Sequence, residues 1–304
     1  MVDLSIVIVN WNVRDLLRSC LRSIAPGVEV IVVDNASTDG SAGMVRCEFP
    51  SVRLVANDEN RGFSAANNQG IALARGRYVL LLNPDAEVLG DALDAMVAFA
   101  DENPDVGVVG PQLLNPDRSV QSSRRRFPTL MTAFFESTWL QPCAPRCLLR
   151  RYYVADRPDD VVQDVDWVDG AALMARREAI DEVGGLDEGF FMYSEELDWC
   201  YRFRAAGWRV VYFPAAHVVH YRGKSSEQVV VARHIHFQTS KVRYFSKHHG
   251  PLAAGVLRLF LLANYAWQVG LEGAKWLLGH SRPLRAQRIA AYRQVLQSGL
   301  RPQR

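Results

Sequence analysis

Cysteine is sparse and unpatterned in this chain of 304 residues: Cys20, Cys47, Cys143, Cys147 and Cys200 make an odd number with no regular framework. That usage fits a reducing compartment and argues against a disulfide-built secreted fold. Cys143 and Cys147 are spaced loosely like half of a metal site, but no second C-x-x-C or H-x-x-x-H accompanies them, which counts against zinc. Lysine is almost absent, confined to Lys224, Lys241, Lys247 and Lys275, so the positive charge is mostly arginine. Excess charge is lacking too. A net charge of +2 supplies no global field to draw nucleic acid, and no nucleic-acid partner is expected. Neither G-x-G-x-x-G nor G-x-x-x-x-G-K-[ST] follows the first apolar run, which removes the main support for a dinucleotide oxidoreductase or a P-loop enzyme. A basic, apolar, small-residue export signal is missing ahead of Leu4, so the expectation is a cytoplasmic protein.

What is present is ordinary globular material, 49% hydrophobic and 22% charged, enough for one large α/β domain with an appendage. Apolar runs at Leu4–Val9, Val28–Val33, Val52–Ala56, Tyr78–Leu82 and Val106–Val109 alternate with helical spacing at Leu16 to Ile24, Ala65 to Ala74 and Leu93 to Ala100. This alternation predicts βαβ units and a mostly parallel sheet with helices on both faces. Ser37, Thr38 and Asp39 offer helix-cap chemistry after the second strand, and Ser64 offers it before the Ala65 helix.

Residues 112–166 are less regular and read as a long substrate loop with short helices; loops of that length are usually functional or mobile. Order returns with a strand over 165–170, followed by Leu173 to Arg176, a short helix from Arg177 to Val183, a helix from Glu195 to Ala206 and a strand at Arg209 to Phe213. From about residue 226 the pattern is helical to the end. Leu252 to Leu278 is strongly apolar, yet its longest uncharged piece, Leu259 to Leu271, is too short to span a bilayer. With Trp267, Trp276 and a basic tail from Arg282 to Arg304, it reads either as a helix in the membrane interface or as a hairpin packed on the domain or on a second subunit.

The most informative stretch is Tyr78-Val79-Leu80-Leu81-Leu82-Asn83-Pro84-Asp85. A strand buried on both faces delivers polar residues at its carboxyl end, where α/β sheets bind ligands. Pro84 stops the strand, having no N–H and a fixed φ. Asp85 then either caps the next helix or enters a cleft. Likewise Asp34 follows the second strand, where a carboxylate commonly grips the ribose or base of a nucleotide. Glu195, Glu196 and Asp198 crowd a helix start, as dipole-matched capping residues or as a source of a general base.

Taken together, these segments resemble the inverting nucleotide-sugar glycosyltransferases of GT-A fold, family 2-like, in their rhamnosyltransferase-like branch. The matching residues are Ser5 to Asn10, Val33 to Ser41, Asn60 to Gly70, Leu81 to Asp85, Asp169 to Ala172, Gly185 to Phe191, Glu195 to Arg202 and His217 to His220, in the family's order over roughly residues 4–225. The resemblance implies a GT-A domain over 1–225 and a helical segment over 226–304. It implies donor contacts at Asn10, Asp34, Asn60, Gly62, Asn67, Asn83 and Asp85, and a divalent cation, Mg2+ or Mn2+, held by Asp85 with His220. His220 also reads as a loop histidine with a structural hydrogen bond. The family's metal motif usually reads Asp-x-Asp; here it is Asn83-Pro84-Asp85. Glu196 aligns with the catalytic base, with Glu195 a rival. Trp167, Asp169 and Gly170 align with the boundary between acceptor and donor. Arg202 and Arg222 face a diphosphate or form surface ion pairs.

The expected reaction moves a sugar, rhamnose from dTDP-rhamnose as first guess, to a hydroxyl of a saccharide or lipid-linked saccharide in cell-surface polysaccharide synthesis. A peripheral position at the inner face of the membrane and a homo-oligomer are compatible with the tail. Two other readings are a sugar-1-phosphate nucleotidyltransferase, which needs a glycine-rich basic loop that Asn10-Trp11-Asn12-Val13 does not supply, and a non-catalytic carbohydrate-binding protein.

Overall fold

A computed structural model describes residues 2–136, 138–221 and 229–301. Strands β1 (Leu4–Asn10), β2 (Glu29–Asp34), β3 (Arg53–Ala56) and β4 (Tyr78–Leu82) alternate with helices α1 (Arg14–Ser23), α2 (Ser41–Glu48) and α3 (Phe63–Leu73). There follow β5 (Ala86–Val88), α4 (Ala92–Glu102), β6 (Val106–Leu114), β7 (Val120–Gln121), β8 (Arg124–Arg125), α5 (Leu130–Phe135) and α6 (Arg146–Tyr152). The chain continues through β9 (Gln163–Asp164), β10 (Trp167–Val168), β11 (Ala172–Arg176), α7 (Arg177–Val183), α8 (Glu195–Ala205) and β12 (Arg209–His220) to α9 (Val230–Leu277) and α10 (Arg282–Ser298).

The sheet runs β3-β2-β1-β4-β11-β6-β12-β5, with β7 on β6 and β9 on β12. β1 to β4 are mutually parallel, β11 is antiparallel between β4 and β6, and β12 is parallel to β6. The pleat sends alternate residues to opposite faces. Ile6, Ile8, Leu80 and Leu82 meet Leu17, Cys20 and Leu21, while Val7, Val79 and Leu81 join Ile71, Trp199 and Phe203. Both faces are therefore covered, which is why these strands read as unbroken apolar runs.

Two antiparallel reversals decide the site. Because β11 opposes β4, its start at Ala172 lies against Leu82, at the sheet's carboxyl edge. Because β12 runs with β6, its last residue, His220, reaches that same edge and pairs with Ala86 of β5. The polar ends of β1, β2, β4 and β12 and the turn before β11 thus share one edge.

Several boundaries differ from the sequence reading. The strand expected over 165–170 is only Trp167–Val168, paired with β8 in a separate two-stranded sheet. The strand expected to stop at Phe213 continues to His220, because a register shift between Phe213 and His217 absorbs Pro214, which has no N–H for the ladder. Residues 112–166 hold short strands as well as short helices. Ser64 does not cap α3: Gly62 occupies the cap position, and Ser64 lies buried in the first turn. Asp39 does serve α2, its Oδ1 accepting from the Ser41 N–H at 3.0 Å.

The chain forms two compact units, one of residues 1–127, 150–191 and 195–225, the other of 128–149, 192–194 and 226–304. In the second, the helical run of α9 breaks at Gly250, whose φ of +89° is non-helical, and Pro251 opens its next segment. α10 packs back on it, with Arg258 Nε donating to the Gly299 carbonyl at 2.6 Å. Phe134 packs against Phe260 with the rings tilted by 48° and their centres 4.6 Å apart, and Lys241 pairs with Glu136 at 2.7 Å. Val230–Leu277 is long and apolar enough, by length and composition, to cross a membrane, although its longest uncharged piece is not. The core helix of a soluble protein meets the same criterion.

Candidate active site

At the ends of β1 and β2, Asn10 donates its amide to Asp34 Oδ1 at 2.8 Å and to Ser37 Oγ at 3.1 Å, while Asp34 Oδ2 accepts from the Ser37 N–H at 3.0 Å. A buried hydrogen bond to a charged carboxylate is worth about 1.5–3 kcal/mol. Asp34 is thus held in one orientation at the edge. Asn10 Oδ1 is buried with no partner among the described residues.

The neighbouring loop is organised by Asn35, whose amide donates to Asn60 Oδ1 at 3.2 Å and to the Gly62 carbonyl at 3.0 Å. Gly62 is required twice over. Its φ is +83°, and a Cβ there would lie 2.7 Å from the Phe191 carbonyl oxygen and 2.8 Å from the Phe191 ring. Asn67 serves its own helix, donating to the Phe63 carbonyl at 2.9 Å. Asn35 had no separate role in the sequence reading, although it stands inside the Asp34 to Asp39 motif.

Asn83-Pro84-Asp85 forms the tight turn from β4 into β5, with the Ala86 N–H on the Asn83 carbonyl at 3.1 Å. Asp85 is buried, and its Oδ1 lies 3.4 Å from His220 Nε2; Asn83 Nδ2 lies 3.5 Å from the same nitrogen. One carboxylate and one imidazole face each other, with a polar amide alongside. Among the described residues no group of three or more His, Cys, Asp or Glu side chains forms a metal cluster. The donor set fits an ion that keeps most of its coordination for phosphate oxygens and water.

The third cluster surrounds Glu196. Gly170 lies so close that a Cβ on it would meet the Glu196 Cβ at 3.4 Å. Asp169 holds the turn, its Oδ1 accepting from the Ala171 N–H at 3.0 Å. Burial foremost, then the charge of Asp169, raises the Glu196 carboxyl to about 7. Glu195 is pushed well above the usual carboxylate range, by burial first and then by Glu196. Trp167 donates its indole N–H to the Arg126 carbonyl at 3.0 Å. Arg202 binds Asp198 at 2.9 Å and the Val183 and Gly185 carbonyls, so it forms an internal pair rather than facing a diphosphate. Arg222 lies outside the described residues.

A doubly covered, mostly parallel sheet with carboxylates gathered at one edge is the architecture of the nucleotide-sugar transferase class of GT-A fold. Solved structures agree on the fold: a mannosyltransferase from Pyrobaculum calidifontis in complex with GDP-Man and Mn2+ matches with a TM-score of 0.57 at 19% identity, over 97% of this chain and 86% of that one. GalNAc-T7 with UDP, GalNAc and Mn2+ also matches with a TM-score of 0.57, at 15% identity, over 81% of this chain and 48% of that one.

The model of glycosyl transferase family 2 matches residues 5–158, and this chain belongs to that family, in its rhamnosyltransferase-like branch. It is 32% identical over 238 residues to the N-acetylglucosaminyl-diphospho-decaprenol L-rhamnosyltransferase of Mycobacterium tuberculosis, which spans 73% of this chain and 77% of that protein. It is 30% identical over 227 residues to the rhamnosyltransferase WbbL of Escherichia coli K12, over 71% and 82% of the two chains.

Proposed function

We propose that this glycosyltransferase moves a rhamnosyl group, with inversion, from dTDP-rhamnose to a hydroxyl of a lipid-linked saccharide in cell-surface polysaccharide synthesis. The observation that carries the reading is the gathering, at one sheet edge, of the Asp34 cluster, the Asp85–His220 pair and the Asp169–Gly170 turn against Glu196. The rhamnosyl donor and the lipid-linked acceptor are drawn from the relatives' names.

Asp34, held by Asn10 and Ser37, takes N–H or O–H groups of the nucleoside. Asn60 and Gly62 shape the adjoining loop, and Asn67 braces its helix. Asp85 and His220, with Asn83 beside them, would hold a divalent cation, which when bound neutralises the charge that builds on the diphosphate leaving group. Imidazole favours Mn2+ slightly over Mg2+.

The acceptor hydroxyl attacks the anomeric carbon from the face opposite the diphosphate. Its O–C bond forms as the C–O bond to the diphosphate breaks. The electron pair leaves with the nucleoside diphosphate, and the hydroxyl proton passes to the Glu196 carboxylate. A base with a raised pKa near the working pH is both ionised and strong enough to take the proton. Glu195 fits the role less well, since burial and the neighbouring Glu196 push its carboxyl well above the usual carboxylate range. Trp167, Asp169 and Gly170 border the acceptor, Gly170 by leaving room for Glu196.

The second unit supports a membrane position for the acceptor. Leu252, Val256, Leu259, Trp267, Leu271, Leu277 and Leu278 are all exposed, while Glu272 is buried against Arg285 at 2.8 Å. A helix that turns leucine outward and its carboxylate inward is suited to an apolar surface, and arginines of the tail suit anionic headgroups. The direct test is transfer of radiolabelled rhamnose from dTDP-rhamnose to an N-acetylglucosaminyl-diphospho-polyprenol, with and without Mn2+. A panel of other nucleotide sugars run alongside identifies the donor, and hydrolysis without transfer to any acceptor counts against the reading.

A further inference from the structure

A chain of hydrogen bonds runs from an exposed turn at Asp117 and Ser119 to the buried Gln121 and His220, and has one direction. The Ser119 hydroxyl donates to the Asp117 carboxylate, which can only accept. Ser119 Oγ then accepts from the Asn115 amide at 2.9 Å, so Asn115 Oδ1 is left as the acceptor. That oxygen takes an N–H of Gln121 at 2.9 Å. The same Gln121 nitrogen donates to the main-chain carbonyl of His220 at 3.2 Å, a second partner that can only accept. Gln121 Oε1 is thereby aimed at His220 Nδ1, 2.8 Å away. An amide oxygen there requires the proton on Nδ1, so that in the neutral ring it is Nε2 that carries the lone pair, 3.4 Å from Asp85 Oδ1.

The Asn83 amide lies 3.5 Å from the same nitrogen, so Nε2, Asp85 and Asn83 face one another at the sheet edge. Gln121 is itself buried, placed by β7 against β6, beside the strand that ends in His220. We infer that Gln121 is a positioning residue: it fixes the Nδ1–H tautomer and ring orientation of His220 so that Nε2 and Asp85 present paired lone pairs to a divalent cation. This rests on the metal reading proposed above. Histidine ligands commonly donate their other N–H to such a partner, whose loss costs about 10–100-fold in metal affinity or activity.

The test is long-range 1H–15N NMR of the histidine rings in the full chain, followed by titration with Mn2+ alone, read as paramagnetic broadening of His220. Gln121→Leu removes the acceptor, Gln121→Glu keeps it, and circular dichroism confirms that each variant folds. The expected result is an Nδ1–H, Nε2-unprotonated His220 in the wild type, retained in Gln121→Glu and lost in Gln121→Leu, whose Mn2+ midpoint rises at least tenfold. An Nε2–H or doubly protonated ring in the wild type overturns the inference while leaving Asp85 as ligand. So does a Gln121→Leu variant with unchanged tautomer and midpoint; if Gln121→Leu fails to fold, the wild-type tautomer and the Gln121→Glu midpoint decide. The correct tautomer with no broadening of His220 by Mn2+ overturns the metal reading itself.

Discussion

The two units of this chain bury opposite things. In the α/β unit Ile6, Val7, Ile8 and Leu80 are sealed inside, and polar side chains gather where strands end. In the helical unit Leu252 is 81% exposed and Leu278 77%, while Glu272 is 5% exposed and paired with Arg285, Lys275 and Arg288. The first arrangement suits water outside and a ligand at the sheet edge; the second suits an apolar exterior. The contrast teaches that one chain can use two kinds of physics: buried, oriented polar groups at a sheet edge in one unit, exposed apolar area in the other.

The contrast breaks first if the site tolerates loss of its carboxylate. Asp85→Ala is expected to lower transfer by about 10³-fold or more, read by product formation at saturating donor and Mn2+. Wild-type turnover in that variant removes the metal assignment. Glu196→Gln is expected to reduce kcat by about 10²–10⁴-fold with donor affinity unchanged, measured by isothermal titration of dTDP. If Glu195→Gln shows that pattern instead, the base is Glu195.

A pH profile sharpens the same point. Glu196 must be ionised to accept a proton, so the rate should rise with pH through about 7 in the wild type. A pKa raised on folding also means that the folded state holds this proton more tightly. Its effect on stability is therefore unfavourable as pH climbs from the ordinary glutamate range to about 7, and Glu196→Gln should flatten that fall in a melting series.

Gly62→Ala should cost stability as well as activity, since Phe191 and the positive φ leave no room for a Cβ. The expected loss is about 2 kcal/mol or more, measured by denaturant unfolding. Smallest in its effect on chemistry is the outer face of the helical unit. Leu259→Glu with Trp267→Glu should leave kcat on a soluble acceptor within about twofold, while binding to anionic vesicles falls at least tenfold by flotation. Retained flotation would end the membrane reading.

Much of the α/β unit was legible because strands covered on both faces must be continuous apolar runs, and because Pro84 makes the end of β4 unmistakable. The Asp34 cluster and the acidic start of α8 were legible for the same reason: polar residues directly after such runs have few places to go. Ser64 misled because a side chain suited to capping was outranked by a glycine two residues earlier, whose backbone alone can enter α3 from that angle. Gln121 carried no local signal at all. Its role arises from a ladder between β7 and β6 and the neighbouring β12, and no spacing in the chain encodes that meeting.

The sequence by itself determined the alternation of strands and helices, the turn that carries Asp85, and the apolar stripe of the long C-terminal helix, since each depends on neighbours within a few positions. Only the tertiary structure decided that β11 and β12 deliver Gly170 and His220 to the edge where Asp34 and Asp85 already stand. It also decided which nitrogen of His220 faces Asp85. Those are long-range facts, fixed by strand order and by the obligation of buried polar groups to find partners of the right kind.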